Sequence, residues 1–137
     1  MPAPPTEVPY RSPDEIIWLD RPIRTGDTAP VSGGDDSGKP IVIRTPLYEI
    51  YEIRFVMDPA GALHVQGRVK NLSTTRDYPN PTVYVGMYDK LGVQIRLLPV
   101  KLSGRPALLF RGETGEFDCS FSKFTTTVGA YRMYMNP

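Results

Sequence analysis

The sequence predicts an all-β fold, an antiparallel β-sandwich of the Ig-like or jelly-roll kind with an extended Pro-rich N-terminal arm. From Ile41 onward, apolar and polar residues alternate with a period of two, as they do in half-buried strands. Turn-forming Gly, Pro, Asn and Asp residues interrupt this alternation at short intervals, a pattern typical of short strands joined by turns. Eight of the 15 prolines lie in the first 40 residues, so we assign residues 1–40 to the arm and residues 41–137 to the sandwich.

The arm is predicted to contribute no regular sheet and to contain one short helical turn, near residues 13–19. Ser12 supplies an N-cap hydroxyl, Pro13 suits the first helical position, and Glu15 can reach back to the cap amide. Four large apolar side chains follow and must be buried, against this chain or a neighbour. We take them as partner-binding residues: Ile16, Ile17, Trp18 and Leu19.

Two hairpins are predicted within the sandwich. The first joins residues 47–57, whose odd-numbered positions are largely apolar, to residues 63–69 through the turn Asp58-Pro59-Ala60-Gly61. The second joins residues 82–88 to residues 93–98, and Pro99 marks the end of that strand or an edge position. Alternation over residues 117–121 and 130–135 predicts two further strands.

Composition excludes several classes of function. Sixteen basic and 15 acidic residues leave a net charge of +1, which indicates no nucleic-acid partner and no attraction to an anionic membrane. No apolar run is long enough for membrane insertion, and the first residues lack the features of a secretory signal, so we expect synthesis in the cytoplasm. One cysteine and one histidine leave no internal disulfide and no cysteine-based or two-imidazole metal site, and we predict no cofactor.

Motifs with chemical potential are few. Residues 33–39 spell the phosphate-loop pattern G-x-x-x-x-G-K, but Pro40 offers no hydroxyl and Asp35 and Asp36 would repel phosphate. His64 falls on the polar face of its strand and Cys119 on the apolar face, so we expect a solvated imidazole and a core thiol. We therefore predict no catalytic residues and no enzyme.

An unrecognised carboxylate pair is the enzymatic alternative, because paired acids are set by space and not by sequence spacing. Most of the acids fall at turns or on polar faces, and Glu113 and Asp118 would be the variants to test. Asn71-Leu72-Ser73 is a formal glycosylation sequon.

Tyrosines offer a recognition surface. Tyr84 and Tyr88 share the strand face opposite Val83, Val85 and Met87, which makes them the best candidates for an exposed or inter-sheet patch. Tyrosine pairs a flat apolar body with a polar tip and therefore suits protein interfaces and sugar stacking alike.

Three sequence pieces carry a family resemblance. They are V-Q-G-R-V-K-N from Val65, M-Y-D-K-L-G from Met87, and G-E from Gly112 leading to F-D-C-S-F from Phe117. Together they resemble the FxLYD-like family of immunoglobulin-type β-sandwich modules over residues 63–122. The resemblance implies a non-catalytic sandwich domain of the kind found in envelope-associated proteins.

The predicted function is that of a non-enzymatic structural protein. Residues 1–40 hold too little apolar surface to offset their ordering entropy of about 1–2 kcal/mol per residue, so a partner is expected to order them. That design suits protein partners in a large homo- or hetero-oligomeric assembly. The prediction is a phage capsid decoration or cement subunit, in a virion or another extracellular assembly, that clamps neighbouring subunits through its N-terminal arm. The alternative is a module that binds a carbohydrate or another cell-envelope ligand through Tyr84 and Tyr88.

Overall fold

A computed structural model describes residues 10–23, 31–32, 41–57, 62–103, 107–121 and 127–136. These residues form strands, turns and bends without a helix, so the predicted all-β class is confirmed. Within them, accordingly, no helix is long and apolar enough to cross a membrane. The strands are β1 (Tyr10–Arg11), β2 (Ile17–Ile23), β3 (Val31–Ser32), β4 (Val42–Arg44), β5 (Tyr48–Met57), β6 (Leu63–Asn71), β7 (Tyr78–Pro79), β8 (Thr82–Tyr88), β9 (Gln94–Lys101), β10 (Leu108–Leu109), β11 (Thr114–Phe121) and β12 (Val128–Asn136).

Two sheets pack face to face as a β-sandwich. The first sheet has the order β1-β4-β5-β6-β11, with β3 also paired to β5, and the second has the order β2-β12-β8-β9. All of these pairs are antiparallel except β1–β4, and β7 and β10 form a separate small pair. One continuous core fills the space between the sheets, where the ring of Phe55 from the first sheet meets Tyr131 from the second edge-on at 4.9 Å.

Both predicted antiparallel strand pairs are present, and each is extended by a strand distant in sequence; the predicted turn at residues 58–61 lies outside the described residues. β5 pairs with β6, and β11 adds to the other side of β6. β8 pairs with β9, and β12 adds to the other side of β8. Pro99 lies in β9 at the edge of its sheet, where a missing amide hydrogen is tolerated. The strands that alternation predicts thus correspond to β5, β6, β8, β9, β11 and β12, whereas the short strands β4, β7 and β10 were not predicted.

A β-bulge in β5 changes which of its side chains point into the core, compared with the prediction. Its pairing with β6 shifts between Tyr51 and Arg54, and Glu52 has a φ of 53° in the left-handed region. The extra residue changes which positions point inward: Ile50 before the bulge and Phe55 after it both face the core, whereas Leu47 is exposed. The prediction that the odd positions from residue 47 share one buried face was therefore wrong for the first half of the strand.

The N-terminal prediction also needs correction. A turn follows Ser12, in which the amide of Glu15 donates to the Ser12 carbonyl at 3.1 Å. The predicted helical turn over residues 13–19 is absent. Ile17–Ile23 instead form β2, which pairs with β12 at the edge of the second sheet. Once the extended segment can bury alternate side chains in the core, it gains more than an isolated helical turn offers. Residues 10–23 therefore contribute to both sheets, contrary to expectation, whereas the boundary at residue 40 stays a prediction.

Candidate functional site

The outer face of the four-stranded sheet brings together three of the six predicted recognition residues, Trp18, Tyr84 and Tyr88. In β8 the side chains of Val83, Val85 and Met87 are buried against the core, and alternation turns Tyr84 and Tyr88 to the opposite, outer face. Ala130 of β12 pairs with Tyr88 on one side and with Trp18 of β2 on the other. Directly opposed residues share a face, so Trp18 lies in the same row as Tyr88.

The four predicted anchor residues of the arm separate into two groups. Ile17 and Leu19 belong to this chain's own core and are not available to a partner while β2 is in place. Trp18, between them, points outward and is 47% exposed, and Ile16 is half-buried just before the strand. A period of two within β2 thus leaves one of the predicted residues as a prominent surface side chain.

The β8–β9 turn brings apolar side chains beside Trp18. One carboxylate oxygen of Asp89 accepts the amide hydrogens of Leu91 at 2.8 Å and of Val93 at 3.0 Å, which pins the turn. Gly92 takes a φ of 83°, and a methyl group placed on it would lie 3.6 Å from Cη2 of Trp18. The turn therefore packs against the indole while leaving Leu91 86% and Val93 59% exposed.

Leu97 extends this surface along β9. It pairs with Gly86, and a methyl group placed on Gly86 would lie 3.4 Å from the ring of Tyr88 and 3.6 Å from Leu97, so both side chains lie on the same face as that position. The Tyr88 hydroxyl donates to the Gln94 side-chain oxygen at 3.4 Å, and the ring is only 7% exposed. We call the exposed set Trp18, Leu91, Val93 and Leu97 the hairpin patch. Tyr88 lies on the same face with its ring buried, and the sequence pattern did not predict the three aliphatic members of the patch.

A tyrosine stack occupies the far end of the same face. Tyr84 pairs with Tyr134 of β12, and their rings stack with centroids 5.0 Å apart and an interplanar angle of 12°. The guanidinium of Arg132 lies 4.8 Å from the Tyr134 centroid, within range of a cation–π contact. The same Arg132 donates to the Pro13 carbonyl at 2.8 Å. The Tyr134 ring therefore already contacts both the Tyr84 ring and the Arg132 guanidinium, while Tyr84 stays half-buried.

The outer face of the first sheet is a polar groove of about 390 Å³. Arg68 forms ion pairs with Glu52 at 3.2 Å and Glu116 at 3.0 Å, and the Gln66 amide donates to Asp118 at 3.1 Å. The bulge in β5 places Glu52 toward this groove, so Glu52 shares it with two acids of β11 that are more than 60 residues later in the chain, Glu116 and Asp118. Each of them already has a partner on this exposed surface, where ion pairs contribute little to stability. The described residues contain no group of three side chains suited to hold a metal ion.

The remaining motif residues lie as follows. Cys119 is buried, and burial raises the pKa of its thiol to about 12, so the predicted core position is confirmed. His64 lies on the polar face of β6, with Nδ1 4.0 Å from the Asp118 carboxylate. Asn71 of the sequon is fully buried with its amide group hydrogen-bonded, so the folded chain does not present it for glycosylation. The phosphate-loop pattern at residues 33–39 lies outside the described residues.

Comparison of the chain with protein-family models, with curated proteins and with solved structures finds no match in any of the three. The fold implied by the FxLYD resemblance, a β-sandwich, is present, whereas membership of that family stays a prediction. The geometry brings Trp18, Tyr84 and Tyr88 to one face of one sheet and assigns Ile17 and Leu19 to the core. The outer face of the second sheet is therefore the candidate site.

Proposed function

We propose that the chain is a non-enzymatic building block of a protein assembly and that copies of it contact one another through the hairpin patch. The observation that carries this proposal is the exposure of Leu91 and Val93 on either side of Gly92, the glycine that packs against the exposed Trp18 indole. Contiguous exposed apolar side chains mark interaction surfaces, and tryptophan is prominent among residues that dominate binding energy. Aliphatic side chains suit a protein partner better than a sugar, because sugars stack on aromatic rings.

Charge supports association between copies. At a net charge of +1, two copies repel one another weakly, whereas a strongly charged chain would resist self-association. We propose a virus particle as the setting, in which many copies decorate or cement neighbouring subunits. The FxLYD resemblance fits such a role, because modules of that kind are non-catalytic.

Light scattering tests the proposal on purified protein. The natural chain is expected to exceed its monomer mass of 15.3 kDa as concentration rises. The double variant Leu91→Ser/Val93→Ser is expected to shift the midpoint of association at least ~10-fold to higher concentration, the equivalent of about 1.4 kcal/mol. Phe110→Ser is the matched control, since Phe110 is 45% exposed and lies outside the hairpin patch. A chain that stays at the monomer mass at every concentration contradicts the proposal.

A second candidate is glycan binding, which the tyrosine stack favours. Tyr84 is half-buried on the outer face and stacked on Tyr134, whose ring also contacts the Arg132 guanidinium, so the pair presents rigid aromatic side chains. Glycan-array screening followed by Tyr84→Ala tests this function, with Tyr51→Ala on the other sheet as the control. Absence of saccharide binding, or binding that survives Tyr84→Ala unchanged, removes this candidate. Tyr88 is a poorer choice of variant, because its ring is buried and supports the sheet surface.

A further inference from the structure

One face of the Tyr84 ring is turned away from the tyrosine stack. The other face lies on Tyr134 of β12, so the free face is directed toward β9, on the opposite side of β8. The residue of β9 directly opposed to Tyr84 is Pro99, which shares the outer face of the sheet and is exposed. Because β9 is the edge of its sheet, no further described strand covers Pro99 from the side. Tyr84 and Pro99 therefore form an apolar corner that solvent can reach.

A lysine side chain borders the apolar corner. Lys101 opposes Thr82, and its ammonium group donates to the Thr82 hydroxyl at 3.2 Å, which places the lysine on the outer face. The same hydroxyl donates to the Asn80 carbonyl at 3.1 Å, so its oxygen is oriented to accept from Lys101. Lys101 is the diagonal neighbour of Tyr84, at a separation of about 7–8 Å that a long side chain can span. The ammonium is thereby held beside the free face of the Tyr84 ring.

The Lys101 ammonium is available to an anion, unlike the cation on the other side of the stack. Within the described part of the chain, Lys101 forms no ion pair, and its bond to the threonine hydroxyl uses one of three N–H donors. Arg132 instead donates to the Pro13 carbonyl at 2.8 Å and lies 3.6 Å from the Asp14 carboxylate. Lys101 therefore provides a positioned positive charge, without a counter-ion among the described residues, next to an apolar surface.

We propose that this corner binds an acidic saccharide, with a sugar ring against Tyr84 and Pro99 and its carboxylate or sulfate on Lys101. An anion bound to an ammonium forms a charge-assisted hydrogen bond, which is stronger than a bond between neutral groups. Single-stranded nucleic acid also combines rings with anions, but it needs a groove of cations that follows its backbone, and here one lysine serves one anion. This inference rests on glycan binding at the tyrosine stack, the second candidate above, and names the class of sugar.

A glycan array that carries acidic sugars beside their neutral counterparts tests the charge preference, and titration calorimetry of the full chain then measures the strongest matched pair. The acidic form is expected to bind about 10-fold tighter, because its anion places a full negative charge where a hydroxyl offers only a dipole. Lys101→Met is expected to remove this preference, and Lys101→Arg to keep it. Lys70→Met is the matched control, since Lys70 is exposed on the outer face of the other sheet.

The outcomes separate the acidic class of sugar from glycan binding itself. Neutral sugars that bind as tightly as acidic ones, or a preference that survives Lys101→Met, overturn the inference, while loss of binding in Tyr84→Ala still supports glycan binding at the stack. Inorganic sulfate that competes at the saccharide's own concentration identifies a bare oxyanion site and overturns the sugar. An array without any signal removes both the inference and the glycan candidate. Circular dichroism of each variant verifies that a change in binding is not a loss of folding.

Discussion

Replacing Asn71 by alanine is expected to lower the free energy of unfolding by about 3 kcal/mol, because its buried side chain joins three parts of the chain. At the end of β6, its amide nitrogen donates to the carbonyls of Arg76 at 3.0 Å and Leu109 at 3.1 Å. Its amide oxygen accepts the backbone N–H of Ser73 at 2.8 Å. Alanine at this position leaves all three backbone groups without that partner.

The magnitude follows from these bonds. A typical intramolecular hydrogen bond contributes about 0.5–1.5 kcal/mol net, and a buried group left unpaired costs more than the bond was worth. Three bonds at about 1 kcal/mol each give about 3 kcal/mol. For a chain of 137 residues, that loss corresponds to a decrease of about 10 °C in the melting temperature.

Urea unfolding followed by circular dichroism measures this change, with an unaltered m-value indicating that only stability has changed. The matched control is Asn136→Ala at the exposed last position of β12, where a change within about 0.5 kcal/mol is expected. A loss below about 1 kcal/mol for Asn71→Ala would refute the reasoning, since the bonds would then be replaced by water at no cost.

Asn71→Asp refines the same prediction. It keeps the acceptor that holds Ser73 but replaces both donated hydrogens by a buried negative charge next to two carbonyls. Burial and these carbonyls raise the pKa of the new carboxyl in the folded state, so its protonated form is favoured there. The variant is therefore expected to be least stable at neutral pH and to regain stability as pH falls through the raised pKa.

Three further predictions concern the core. A methyl group on Gly67 would lie 2.6 Å from Cζ of Phe117, so Gly67→Ala is expected to lower the free energy of unfolding by about 1–3 kcal/mol in urea titrations. Because leucine at position 117 relieves this clash, the double variant Gly67→Ala/Phe117→Leu is expected to lose less stability than the sum of its single changes. Burial raises the pKa of Cys119 to about 12, so Ellman's reagent at about pH 8 should modify the thiol only as fast as the chain unfolds. Rapid modification of the native protein would contradict the burial of this thiol. Burial also raises the pKa of Tyr48 and of Tyr78 above the ordinary value of 10.0. The protonated phenols are thus favoured in the fold, so stability should be full below about pH 10 and fall as pH rises beyond it, and a urea midpoint that stays constant to about pH 11 would contradict this.

Local pattern predicted the six longer strands after residue 47 because alternation needs only neighbouring residues. The second hairpin is an example. The Asp89 carboxylate accepts a backbone amide hydrogen within the turn and Gly92 adopts a positive φ, so the turn forms at these two residues. Cys119 was likewise placed correctly, since a period of two in β11 turns it inward. The bulge at Glu52 was missed because it depends on how β5 registers against β6, which local alternation does not encode.

The candidate site was only partly predictable for the same reason. Alternation placed Tyr84 and Tyr88 on one face, but the hairpin patch exists because β2 crosses to the edge of β12 and brings Trp18 beside a turn more than 70 residues later in the chain. The apolar run Ile16 to Leu19 looked like a single anchor, yet pairing with β12 divides it between core and surface. The side-chain bonds of Asn71 likewise depend on a carbonyl 38 residues away.

From its sequence alone, this chain is an all-β protein with two hairpins, one buried thiol and little net charge, because each of these follows from residue type and from spacing over a few positions. Only the tertiary structure decided that the N-terminal segment completes the sandwich and which apolar side chains stay in water. Burial is a property of surfaces that meet, and the surfaces that meet here come from opposite ends of the chain.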